Sequence, residues 1–137
     1  MRKRLQGIRM SECVDVFVRL DGDNIGDRIE YLLLTGDVEG AENVHRRVQD
    51  SMKKITDQLA TNEHVRILMS GCDDILLRIS GDVSDRNSIV ENIRKKFVNE
   101  TGFTMSGGVG NTLSSALMGL RRAKLSGKDR LCEILDL

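Results

Sequence analysis

A chain of 137 residues, 39% of them hydrophobic and 31% charged, buries one core and hardly two, so residues 1–137 read as a single domain. Its 21 basic and 21 acidic residues cancel to a formal net charge of zero, and only 3% are aromatic with no tryptophan, which argues against a charge-driven grip on template nucleic acid or a stacking platform for bases. Cys13, Cys72 and Cys132 lack the paired spacing of a zinc site, and no apolar run of signal-peptide or membrane-span length follows the basic opening MRKRLQGIRM, so a reduced, cytoplasmic protein that is not itself membrane-bound is expected.

Val14 to Leu20 is rich in β-branched and aromatic residues and reads as a buried first strand. After an acidic loop, residues 27–35 suit a short helix. Ala41, Val44, Val48, Met52, Ile55 and Leu59 then recur at three- and four-residue intervals along a long one. His64 to Ser80 holds two strand-like runs separated only by GCDD. A parallel connection needs a dozen or more residues, so these two strands form an antiparallel hairpin. Ser84 is the expected cap of a helix that turns Ile89, Val90, Ile93 and Phe97 inward, and Phe103 to Val109 reads as a further strand. A last helix carries Leu113, Ala116, Leu117, Leu120 and Ala123 on one side and ends near Gly127, before a strand from Leu131 to Leu135. The fold class is therefore α+β: a ferredoxin-like βαββαβ palm, an antiparallel sheet with helices on one face, extended by a C-terminal helix and strand.

The acidic loop DGDNIGDRIEYL places oxygen ligands and a glycine where a calcium loop has them. Ile25 and Leu32, however, stand where that loop needs a ligand and a closing glutamate. A strand ending in D-x-D also suits an aspartyl-phosphate enzyme, but such enzymes use a parallel sheet and the GCDD hairpin contradicts it. A third reading joins loop and hairpin. In a split βαββαβ sheet the first strand lies beside the hairpin, so Asp21 meets Asp73 and Asp74 at the turn. Three converging carboxylates repel one another unless cations neutralise them, and oxygen ligands suit Mg2+ or Mn2+. Two such ions, about 3.5–4 Å apart, can activate a ribose hydroxyl and stabilise departing pyrophosphate. Asp23 and Asp27, taken singly, read as solvated turn formers.

These residues resemble the nucleotidyl-cyclase and polymerase palm, shared by GGDEF diguanylate cyclases and the large subunit of type III CRISPR effectors. DGDNIG is similar to the first metal loop, GCDD to the GG(D/E)-type hairpin, SGGVG to the following strand, and AKLSGKDR to the closing AKxxGRN-like segment. The short length and the GCDD variant most resemble the stand-alone minimal CRISPR polymerases, mCpol, which are linked to antiphage signalling. The resemblance implies metal binding by Asp21, the carbonyl of Gly22, Asp73 and Asp74, with two Mg2+ or Mn2+ per site. It implies nucleotide binding by Asn24, Ile25 and Gly26, whose backbone amides approach the β- and γ-phosphates, and by Gly71 and Cys72 at the turn. Lys124 matches the lysine that neutralises the triphosphate, with Lys128 and Arg130 as helpers; for these three the plain alternative is a solvated helix end. Cys72 stands where diguanylate cyclases carry a second glycine, Ile25 and Gly26 where they carry phenylalanine and lysine, and no RxxD inhibition site precedes GCDD.

What the resemblance implies is a synthase of a cyclic oligonucleotide messenger, a cyclic dinucleotide from two ATP above all, with GTP as the other candidate substrate. Ring closure needs two nucleotides head to tail, so a homodimer with facing sites is expected. The product is expected to act on a separate effector protein. Two alternatives stay open: a catalytically inactive palm that binds nucleotide, and a GTP ring-opening hydrolase on the same fold.

Overall fold

A computed structural model of the chain describes residues 15–135, so the basic opening segment, Cys13 and the expected strand start at Val14 lie outside the described residues. The elements run β1 (Val16–Gly22), α1 (Ile25–Leu34), α2 (Val38–Leu59), β2 (Val65–Ser70), β3 (Asp74–Ile79), α3 (Val83–Thr101), β4 (Met105–Gly110), α4 (Leu113–Leu125) and β5 (Leu131–Ile134). Among the described residues no helix is long and apolar enough to cross a membrane, and Cys72 and Cys132 are free thiols.

The strands form one sheet in the order β2-β3-β1-β4-β5. β1 is antiparallel to both β3 and β4, and β2 and β3 form the expected antiparallel hairpin. β5 joins β4 in parallel, because the intervening α4 carries the chain back across the sheet, so the sheet is mixed rather than purely antiparallel. This is the α+β palm architecture with its added helix and strand.

Alternation along β1 explains the layers. Val16, Val18 and Leu20 point to one face and pack with Val48, Met52 and Ile55 of α2 and Val90, Ile93 and Phe97 of α3. The inward stripe of α2 follows the expected spacing, with Ala41, Val48, Met52, Ile55 and Leu59 buried. Ser51, also buried, donates to Glu100 at 2.7 Å and ties α2 to α3. Phe17, Arg19 and Asp21 point to the other face, where α4 lies over β4.

The buried side of α4 differs from the expectation. Leu113 and Leu117 are exposed, and the helix instead turns Ser115, Ala116, Gly119 and Ala123 inward. The reason is the strand beneath it. A Cβ at Gly108 would overlap the backbone of Ala116 and Leu120, so helix and strand touch main chain to main chain and only small residues fit between. Three boundaries also shift. Asp82, not Ser84, caps α3 by accepting from Asp85 N, β4 begins at Met105, and α1 begins at Ile25. The end of α4 follows the glycine rule: Gly127 has φ 125° and Lys128 N–H returns to Ala123 O at 2.9 Å.

Candidate active site

β1 ends between its two antiparallel neighbours, which sets Asp21 directly across from Asp74 on one side and Ser106 on the other. Directly opposed residues of such pairs lie about 4.5–5.5 Å apart at Cα. Asp73 precedes β3 at the hairpin turn, and its carbonyl accepts from Gly22 N at 2.8 Å. Gly22 at the strand end and Asp73 at the hairpin, 51 positions apart in sequence, are thus stitched by backbone at the point where the acids gather.

Each acid is held differently. Asp21 Oδ2 lies 3.1 Å from Lys124 Nζ. Asp74 Oδ2 accepts from Arg19 at 2.6 Å, a pairing that the period-two spacing of Arg19 and Asp21 on one face of β1 makes possible. Asp73 has no cation of its own at that range among the described residues. Burial, and then the negative charges of Asp21 and Asp74, push its carboxyl above the ordinary value, with Lys124 only partly offsetting them.

Lys124, from the last turn of α4, reaches across to this corner and touches Gly22 O at 2.9 Å, Asp23 Oδ1 at 2.7 Å and Asp21 O at 3.4 Å. Burial works against its charge, but the carboxylates of Asp23 and Asp21 more than compensate and hold its pKa above the ordinary lysine value. Asp23 is the main correction to the sequence reading. It is 1% exposed, not a solvated turn former. Its oxygens accept from Lys124, from Thr104 Oγ1 at 2.7 Å, from Ser106 Oγ at 2.8 Å and from Asp129 N at 3.0 Å. Burial alone raises its pKa, yet those donors leave it below the usual carboxylate value. The signal for this role was the hydroxyl pair Thr104 and Ser106, which period two puts on one face of the neighbouring strand, with the closing turn 127–130 beside them.

The remaining candidates flank the acids. Asn24 precedes α1 with φ 65° and makes no side-chain cap. The first helical hydrogen bond runs from Arg28 N to Asn24 O, so the amides of Ile25, Gly26 and Asp27 find no acceptor within the helix, and a Cβ at Gly26 would meet nothing within 4 Å. An open, uncapped helix N-terminus beside a cation is suited to phosphate. Lys128 Nζ reaches Asn24 Oδ1 from the closing turn, whereas Arg130 folds back, its Nε donating to Lys128 O at 2.9 Å. At the hairpin, Gly71 N donates to Asp74 O at 2.9 Å and any Cβ at Gly71 would overlap Asp74 Oδ1, while Cys72 is exposed at the tip.

Asp21, Gly22 O and Asp73 offer only hard oxygen donors, and a cation, the Lys124 ammonium, already sits on the first two, so the set fits a divalent ion such as Mg2+ or Mn2+. Among the described residues no three His, Cys, Asp or Glu side chains are gathered tightly enough to form a cage by themselves. A divalent ion held there would need main-chain oxygen and ligand phosphate to complete its shell.

A mixed sheet in this order, with acids where β1 meets the hairpin and a lysine reaching them from α4, defines a nucleotide cyclase-type palm. Solved structures share the fold. The Csm1–Csm4 cassette in complex with cA4 superposes with a TM-score of 0.71 at 15% identity, over 93% of this chain and 22% of that one. The GGDEF domain of DgcB from Caulobacter crescentus, in complex with c-di-GMP, gives 0.61 at 15% identity over 93% and 84%. The diguanylate cyclase SiaD with its activator SiaC from Pseudomonas aeruginosa gives 0.60 at 19% identity over 96% and 53%. The chain thus spans about a fifth of the Csm1–Csm4 chain. No curated protein matches it by sequence. A family model for the minimal CRISPR polymerase domain, mCpol, matches residues 17–134, and the chain belongs to that family.

Proposed function

We propose that this chain is a nucleotidyltransferase that joins nucleoside triphosphates into a short cyclic oligonucleotide, a cyclic dinucleotide from two ATP in the simplest case. The observation that carries the reading is the corner where Asp21, Asp73 and Asp74 meet under the ammonium of Lys124, next to the open N-terminus of α1. Membership of the mCpol family supports it, and neighbours solved with cA4 and c-di-GMP support the product class.

In the reaction a ribose hydroxyl oxygen loses its proton to solvent and bonds to the α-phosphorus of a second nucleotide while the bond from that phosphorus to the β-phosphate oxygen breaks, releasing pyrophosphate. Asp21, Gly22 O, Asp73 and Asp74 would hold divalent ions, whose chemistry there would be activation of the hydroxyl and neutralisation of the leaving group. Lys124 balances charge on the triphosphate, and the amides of Ile25 and Gly26 with Lys128 orient the β- and γ-phosphates. The described residues form one acid corner, so ring closure is assigned to a homodimer whose facing sites each supply the acceptor for the other. The product serves a separate effector, in keeping with a role in antiphage signalling.

The test is to incubate the purified chain with each NTP and Mn2+ or Mg2+ and weigh the products. A cyclic product with stoichiometric pyrophosphate, lost in Asp73→Asn, supports the proposal. Binding of nucleotide without turnover would identify an inactive palm. An opened guanine ring would identify a hydrolase, and light scattering that finds only monomer with and without nucleotide would remove the dimer.

A further inference from the structure

At the opposite end of β1 from Asp21, and on the opposite face of the sheet, α3 leaves a cavity of about 320 Å³ against β1, β4 and β5. Val16 and Val18 of β1 wall it together with Val90 of α3, Val109 of β4 and Leu131 of β5. Val16 lies five residues before Asp21, about 16 Å along the strand. The space therefore belongs to a different part of the molecule from the acid corner.

Asn87, Glu91, Glu133 and Arg86 are its polar lining, and Arg86 stands apart. This residue lines the cavity and is only 6% exposed, and its Nε is buried with no hydrogen-bond partner among the described residues. It forms no ion pair with any described residue, whereas Arg19, Arg78 and Arg94 each find a carboxylate. A guanidinium stays protonated at any physiological pH, so a buried one without an acceptor is a donor fork awaiting an anion. Neither α3 nor the strands bring one to it. The carboxylates that line the cavity with it are Glu91, committed to Arg94 at 3.0 Å, and Glu133, which is exposed.

We infer that this cavity is a second ligand site, and that it takes a small organic monocarboxylate whose charged end pairs with Arg86 and whose apolar body lies on the valines and Leu131. A carboxylate matches the guanidinium fork in two parallel hydrogen bonds. Glu133 at the exposed edge makes a dianionic phosphate the poorer match, because the added negative charge meets its own at the mouth. The volume equals that of about ten waters, which sets the ligand at roughly the size of octanoate or phenylacetate rather than a nucleotide.

The probes are octanoate and phenylacetate, with inorganic phosphate and phenyl phosphate as dianionic comparisons, titrated at millimolar concentration into the full chain labelled with 15N and with 13C at the valine methyls. Binding is expected to move the Arg86 Nε–Hε signal and the methyls of Val16, Val18, Val90 and Val109. Arg86→Met is expected to weaken it by tenfold or more while Arg86→Lys retains part of it. Without ligand, Arg86→Met should melt no lower than the parent, since an apolar side chain of similar length replaces an unpaired buried charge. A lower melting temperature would mean that Arg86 already has its partner, and would overturn the inference. So would carboxylates that leave the Arg86 signal in place, or phosphates that bind as well as phenylacetate.

Discussion

Asp23→Asn isolates one carboxylate oxygen, and its cost follows from who faces that oxygen. Oδ1 accepts from Lys124 Nζ at 2.7 Å and Ser106 Oγ at 2.8 Å, and Oδ2 from Thr104 Oγ1 at 2.7 Å and Asp129 N at 3.0 Å. Hydroxyls can rotate to accept from the new amide, but an ammonium and a backbone N–H cannot. Whichever way the asparagine turns, one obligatory donor therefore meets another donor. The cheaper orientation sacrifices Lys124, which keeps Asp21 Oδ2 and Gly22 O. Loss of a charged hydrogen bond costs about 1.5–3 kcal/mol, and the nearly complete burial of Asp23 moves the total to about 2–4 kcal/mol, below the 3–5 of a fully orphaned buried charge. For a chain of this size that lowers the melting temperature by about 10 °C. Urea unfolding followed by circular dichroism measures it, with Asp27→Asn, exposed in the first turn of α1, as the control. A loss below about 0.5 kcal/mol, the range of a surface substitution, refutes the buried hub. Acid titration offers a second check. Asp23 has its pKa lowered by folding, so its contribution is complete above the unfolded value near 3.8 and disappears as pH falls through the lower folded value. The parent should lose stability below about pH 4 more steeply than the variant.

Asp73→Asn is expected to raise the unfolding midpoint at neutral pH while abolishing pyrophosphate release, because folding raises the carboxyl's pKa by burial and by the charges of Asp21 and Asp74. The cost of its ionised form is complete at neutral pH and vanishes as pH falls through that raised value, so the advantage should shrink toward acid; a lower midpoint at pH 7 contradicts the repulsion. Gly108→Ala places a methyl on the backbone of α4 and should cost about 3 kcal/mol or more in urea, whereas a cost under 1 would mean that helix and strand are not in main-chain contact. Arg19→Met should cost about 1–2 kcal/mol, and a double-mutant cycle with Asp74→Asn should return at least about 0.5 kcal/mol of coupling. Additive effects there would exclude the pair.

The parts of the fold that were legible in the sequence are those set by local chemistry. The hairpin followed from two strand-like runs too close for a crossover, and the inward face of α2 from apolar spacing. The meeting of Asp21 with the GCDD turn followed from strand order alone. What was not legible depended on neighbours remote in sequence. Leu113 and Leu117 look like core on a helical wheel, but the glycines at 108 and 110 draw α4 so close that only small residues, Ser115, Ala116, Gly119 and Ala123, fit beneath it. Asp23 looks like any turn aspartate until residues 81, 83 and 101 positions away bring it their donors. Arg19 sits in a strand read only as buried, and its partner appears once β3 delivers Asp74.

The acids all precede residue 80, whereas their ammonium and the donors from 104, 106 and 129 all follow it. A ribosome releases the former first. A nascent chain that has just completed its hairpin would pair Asp74 with Arg19 but leave the repulsion between Asp21 and Asp73 uncompensated, with β1 still missing one neighbour. Docking of the second half would then close the sheet and quench that repulsion in a single event, making final collapse and charge compensation inseparable.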